Sequence, residues 1–165
     1  MITSLRILAL TLAPVLGLHP AGAQTRAPAD CVSAQAAKAP HLYGLWTASF
    51  THPPRGLPAQ ATMLLERHAE FSESLAGVVS RDLSGAPDGA VAGHAGKAFL
   101  AGDIEDGILT LDESSNAINI TATWNGEIVK DSCANKITGV WKDTSSAAPS
   151  DAPEIAFTLT KRAGW

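Results

Sequence analysis

The residues that could do chemistry fall into four groups. The first is acidic: Asp103, Glu105, Asp106, Asp112 and Glu113 crowd one short stretch of chain. Carboxylates facing each other across two strands could share a proton or a divalent cation, and Asp103 with Asp112 is the pair to expect in that role. A solvated hairpin tip accounts for the same residues. The second is His41, His52, His68 and His94, no two of which stand at a zinc-ligand spacing. The third is aromatic. Trp46, Trp124, Trp141 and Tyr43 are either core filling or the walls of a ligand pocket. The fourth is the pair Cys31 and Cys133, the only cysteines. No nucleophile elbow and no phosphate-binding glycine loop followed by Lys-Ser/Thr occurs, and no cofactor is implied. Asn119-Ile120-Thr121 matches a glycosylation sequon in an expected strand.

The chain has 165 residues and a formal charge of −4, which becomes −5 without Arg6. That balance excludes a nucleic-acid protein, which would carry a basic stripe, and a polybasic membrane-surface binder. Met1–Ala23 has Arg6, an apolar run from Ile7 to Leu18, a Pro20 break, and small residues up to Ala23. This is the layout of a cleavable secretory signal, cut between Ala23 and Gln24. The run is short for a membrane span, and nothing after it is apolar for long enough to cross a bilayer. Export to the periplasm or beyond places the two cysteines in an oxidising compartment. A Cys31–Cys133 disulfide is therefore expected.

After the signal, Gln24–His41 is rich in Ala, Pro and Lys and reads as a flexible arm, with a turn of helix around Val32–Lys38. From Leu42 the apolar period is two, the strand signal. Eight strands are expected, Leu42–Thr51, Ala61–His68, Ser74–Arg81, Lys97–Ile104, Ile108–Glu113, Ala117–Val129, Lys136–Lys142 and Glu154–Lys161. Asp106-Gly107 supplies hairpin-turn chemistry. Leu83–Gly96 and Thr144–Pro153 read as long polar loops, and His68–Ser74 is ambiguous between turn and helix. The pattern apolar-x-Gly-x-apolar recurs around Gly44, Gly77, Gly102, Gly126 and Gly139. Its apolar residues and its glycine share one strand face. Glycines there permit the coiling that a closing sheet needs. The fold class is thus all-β, an up-and-down antiparallel meander closing into a small eight-stranded barrel over residues 42–165. An open β-sandwich is the alternative.

Gly44-Leu45-Trp46 at the first strand, Thr121-Ala-Thr-Trp124-Asn-Gly126, and the repeated central glycines resemble the calycin superfamily, the lipocalins and especially the avidin-like barrels. The resemblance covers most of Leu42–Lys161 as strand order and pattern. It implies a meander barrel with Trp46 near the closed end or lining the interior, and it carries no ligand across. A second resemblance is to the small periplasmic inhibitors of bacterial metalloproteases, disulfide-bearing barrels whose N-terminal arm enters a protease cleft. Gln24–Pro40 would be that arm, although Cys31 lies within it. The chain as a whole also resembles exported proteins of Gram-negative bacteria.

Three functions are to be weighed. The first is a non-enzymatic exported binding module, with a small apolar ligand in the barrel mouth or a protein partner on its loops. The second is an inhibitor acting through the arm. The third is a hydrolase using Asp103 and Asp112.

Overall fold

The computed structural model describes residues 31–83 and 96–164. The expected signal, residues 24–30 of the expected arm, most of the Leu83–Gly96 loop with His94, and Trp165 lie outside the described residues.

A short helix, α1 (Ala39–Leu42), precedes eight strands. They are β1 (Gly44–Phe50), β2 (Gln60–Arg67), β3 (Leu75–Arg81), β4 (Lys97–Glu105), β5 (Ile108–Ser114), β6 (Ala122–Ile128), β7 (Lys136–Asp143) and β8 (Glu154–Lys161). Each pairs antiparallel with the next, and β8 returns to β1 to close the barrel. Closure gives every strand two neighbours, so no ladder edge is left to recruit another chain.

Period-two burial turns one side of each strand inward. Leu75, Gly77, Val79 and Arg81 of β3 are buried, as are Leu109, Leu111 and Glu113 of β5. The five glycine repeats stand on this inner face. Gly126 lies directly opposite Gly139. A Cβ on Gly139 would run into the Asn125 carbonyl and the Gly126 Cα. A bulkier pair there would force β6 and β7 apart and open the barrel wall. Gly126 sits within β6, not in a turn. The β4–β5 hairpin does turn at Asp106-Gly107, with φ of 48° and 85°. Both central residues of a primed hairpin turn need positive φ, which is why Asp-Gly serves there.

Two segments differ from the sequence reading, and a third, left ambiguous there, is resolved. The strand expected from Ala117 starts only at Ala122. Asn116 Oδ1 accepts hydrogen bonds from the amides of Ile118 (3.0 Å) and Asn119 (2.9 Å), and Ala117 takes φ of 58°. The Asn side chain captures amides that a strand would have offered to its neighbour. Ile118 and Ile120 are left exposed, and the Asn119 sequon falls in a loop. The strand expected from Leu42 starts at Gly44, because Pro40 opens α1 and the His41 ring caps it by accepting the Lys38 amide at 2.9 Å. His68–Ser74 is a turn, with His68 Nδ1 accepting the amides of Glu70 and Phe71 at 3.2 Å each.

The described part of the expected flexible arm, residues 31–41, packs against one end of the barrel. Its turn falls at Ala34–Ala36. Ala37, Ala39 and Leu42 are buried in the core, and Cys31 is bonded to Cys133 in the β6–β7 loop, Cα to Cα 4.5 Å. Apolar contact and a covalent tie outweigh the Ala/Pro composition that suggested a loose chain. This plug sits at the end where Trp46, the β4–β5 hairpin turn and the last residues of β8 lie. The opposite end, ringed by the β1–β2, β3–β4, β5–β6 and β7–β8 connections, carries no disulfide-tied plug among the described residues, and Leu57 of the β1–β2 connection is buried in the core there.

Candidate functional site

At the unplugged end the last inward residue of β3 is Arg81 and the last of β5 is Glu113. Strand parity puts both inside, each two residues beyond a buried apolar side chain, Val79 and Leu111. The register then makes room for them. Arg81 stands opposite Ala61, Glu113 opposite Ala122, and Ala98 opposite Val79. Three alanines at this level leave the width that the long Arg81 side chain needs to cross from β3 to β5.

The two side chains form a bidentate pair. Arg81 Nη1 donates to Glu113 Oε1 at 2.7 Å and Nη2 to Oε2 at 2.6 Å, with both side chains fully buried. Two indoles converge on the same carboxylate. Trp124 Nε1 donates to Glu113 Oε2 at 3.0 Å and Trp141 Nε1 at 3.3 Å. Trp124 and Trp141 face each other across β6 and β7. Arg81 Cζ is 6.0 Å from each ring, within cation–π range. Phe50 packs 5.4 Å from Trp124 and 6.0 Å from Trp141, and Phe157 packs 5.0 Å from Trp124. Arg81 Nε is buried and has no hydrogen-bond partner. Chemically the cluster is an ion pair in an aromatic shell, with one guanidinium nitrogen, Arg81 Nε, left without a partner.

The aromatic candidates named from sequence are thus divided. Trp124 and Trp141 join this cluster. Trp46 lies at the plugged end, where its Nε1 donates to the Leu42 carbonyl at 2.8 Å and Lys161 Nζ sits 5.7 Å from its ring. Lys161 Nζ also donates to the His41 carbonyl at 2.7 Å, and partial burial pushes its pKa below the ordinary value. Tyr43 is half-buried against the core beside α1.

The acidic group is divided as well. Asp103 pairs with Thr110, and Asp112 with Ala101, so the two aspartates are not opposite each other. Both are exposed on the outer face of the barrel, as are Glu105 and Asp106. Asp103, Glu105 and Asp106 line a shallow surface concavity with Ile108 and Thr110, and Asp112 is not among its residues. The structure thus does not bring together in one cleft the Asp103/Asp112 pair that the hydrolase reading calls for. His41, His52 and His68 stand on α1 and in two separate loops. Among the described residues no three His, Cys, Asp or Glu side chains gather where a metal ion could be held.

Sequence reasoning missed Arg81 as a site residue and placed Glu113 with the hairpin acids. The signal was present in the alternation. Leu109-x-Leu111-x-Glu113 and Val79-x-Arg81 continue an inward-facing series into a charged residue.

Comparison with known proteins finds no match, either among protein-family models or among curated protein sequences.

Proposed function

We propose that the protein is an exported binding module that takes a small ligand at the unplugged end of its barrel. The observation that carries this reading is the buried Arg81–Glu113–Trp124–Trp141 cluster. An eight-stranded barrel can be filled by apolar side chains alone. Replacing a buried ion pair by well-packed apolar residues is often neutral, or stabilising by about 1–4 kcal/mol. Stability therefore gives little reason for a fully buried charge pair at this level, whereas recognition of a polar ligand group does. The plug at the other end makes the unplugged end the natural way into the interior. Aromatic walls with a few convergent polar groups are the usual composition of a small-molecule site.

Export is part of the proposal. The layout of Met1–Ala23 supports it, and a Cys31–Cys133 disulfide fits an oxidising compartment. No helix among the described residues is long and apolar enough to cross a membrane. The inhibitor reading has less support, since residues 31–41 of its arm are anchored by the disulfide and buried alanines.

Tryptophan emission tests the proposal directly, because two indoles belong to the cluster. Titration with a panel of small metabolites should give a saturable change with at least one class of compound. The change should persist in Trp46→Phe, which leaves the indoles of the cluster in place. If no compound gives saturable quenching or a spectral shift, the small-ligand reading fails.

A further inference from the structure

Resting on that reading, we propose that the ligand presents a neutral carbonyl oxygen and that Arg81 Nε donates a hydrogen bond to it. A guanidinium is planar, with its N–H groups in a fixed fork. The end of the fork, Nη1 and Nη2, is committed to Glu113. The Trp124 and Trp141 rings lie 6.0 Å from Cζ. Of the three guanidinium nitrogens Nε alone has no partner, and its N–H is buried without an acceptor. A buried donor left unpaired on a charged group is costly, and nearly all such groups in folded proteins have a partner. An incoming acceptor on this edge would remove the cost, which is how an orphaned donor becomes a source of affinity.

Charge decides the kind of acceptor. Arg81 and Glu113 already cancel. A carboxylate ligand would add a further negative charge beside Phe50, Trp124, Trp141 and Phe157, whose rings do not solvate it as water does. A neutral carbonyl meets the N–H and leaves the cluster uncharged. The ligand class is therefore an amide, lactam, lactone or ketone with a flat apolar body suited to the aromatic shell.

The experiment uses the whole folded chain and two probes of similar shape, N-phenylacetamide and phenylacetate. The Arg81 Nε–H signal in proton–nitrogen NMR is the readout, with tryptophan emission recorded in parallel. N-phenylacetamide should move the Nε–H signal saturably and phenylacetate should not. Arg81→Lys keeps a cation for Glu113 but has no Nε fork. It should weaken N-phenylacetamide binding about tenfold or more, as expected for a hydrogen bond to a charged group. Should that variant not fold, the wild-type signal decides alone. An Nε–H signal that neither probe moves, with saturable quenching by some compound of the metabolite panel, overturns the carbonyl assignment and leaves the binding module standing. A response to phenylacetate equal to or larger than that to the amide also overturns it. Silence of the Nε–H signal together with no quenching by any compound overturns both.

Discussion

The two ends of this barrel solve the same problem with opposite chemistry. At the plugged end, residues 31–42 bring buried alanines, Leu42, a disulfide and two backbone carbonyls to the rim. Each carbonyl meets a side-chain donor, the Leu42 oxygen from Trp46 and the His41 oxygen from Lys161. At the unplugged end two indoles and a guanidinium share one carboxylate, and a donor is left over. Trp46 and Trp124 are both buried, inward-facing tryptophans of the same core. One finds a neutral acceptor supplied by the plug, the other an ionised one supplied by the neighbouring strand β5. On the proposed reading, one end is built to stay shut, and the other holds polar groups that meet a ligand.

The largest expected effect comes from breaking the charged pair on one side only. Glu113→Leu strands a buried guanidinium and removes an acceptor of two indole N–H groups. Losing one partner of a buried pair costs about 3–5 kcal/mol, and unsatisfied donors add to it. The double variant Arg81→Met/Glu113→Leu removes the charge altogether and should return to within about 1–2 kcal/mol of the wild type. Urea unfolding of the three proteins reads both. Equal losses in the single and double variants would make the charged cluster as much a stability element as the plug, and the contrast between the ends would collapse.

Next comes the disulfide. It links residues 102 apart in sequence. The chain-entropy model gives a loop of about that length roughly 4–5 kcal/mol, with measured values often lower. Cys31→Ser/Cys133→Ser should therefore lower the urea midpoint strongly. It should leave ligand-induced quenching of Trp124 and Trp141 unchanged, because the bond lies at the other end of the barrel. A loss of quenching in the folded variant would show that the two ends are coupled.

The eight strands and their closure were legible because apolar alternation and glycine spacing are local signals that a closing sheet must obey. Glu154–Lys161 matches β8 to the residue. The disulfide was legible from the count of cysteines. The charged cluster was harder to see. Asp112 and Glu113 are sequence neighbours, yet in a strand neighbours face opposite sides, so one is solvated and the other fully buried. Grouping acids by closeness in the chain hides that difference, while following parity out to the strand end exposes it. The pairing of Arg81 with Glu113, two strands apart, depends on alanines at 61, 98 and 122, which no local pattern marks as spacers. The plug was missed for a related reason: three small apolar side chains look like linker until a barrel end is there to receive them. Ala117–Thr121 failed because one Asn side chain overrode the alternation.

Trp46→Phe sharpens the comparison at smaller scale. It keeps an aromatic ring, though a smaller one, and removes the donor to the Leu42 carbonyl, leaving that buried oxygen with one partner fewer. A loss of about 1–3 kcal/mol is expected in urea unfolding. Trp141→Phe removes the longest of three hydrogen bonds to Glu113 Oε2, which also accepts from Trp124 and Arg81. It should cost less, about 1 kcal/mol. A larger loss at Trp141 than at Trp46 would reverse the ranking of the two ends.

The smallest effect is the pH response of Lys161. In the unfolded chain this lysine titrates near its ordinary value of 10.5, and in the folded protein partial burial sets its pKa lower. Between those two values the unfolded state binds more protons than the folded one, so stability gains from this residue as pH rises through that window. Below the window the residue is protonated in both states, and the desolvation penalty on its charge is fully present. Lys161→Met removes the penalty together with the hydrogen bond to His41 and the contact with the Trp46 ring. The stability difference, wild type minus variant, should therefore climb with pH in the alkaline window and be flat near neutrality. Urea midpoints of the two proteins, measured from neutral pH up to about 10.5, give that difference. A difference that falls with rising pH would mean that the His41 carbonyl and the indole face stabilise the ammonium more than burial penalises it. The rim of the plugged end would then be a cation site held by its own charge, and closer in kind to the Arg81 cluster than the comparison of the two ends allows.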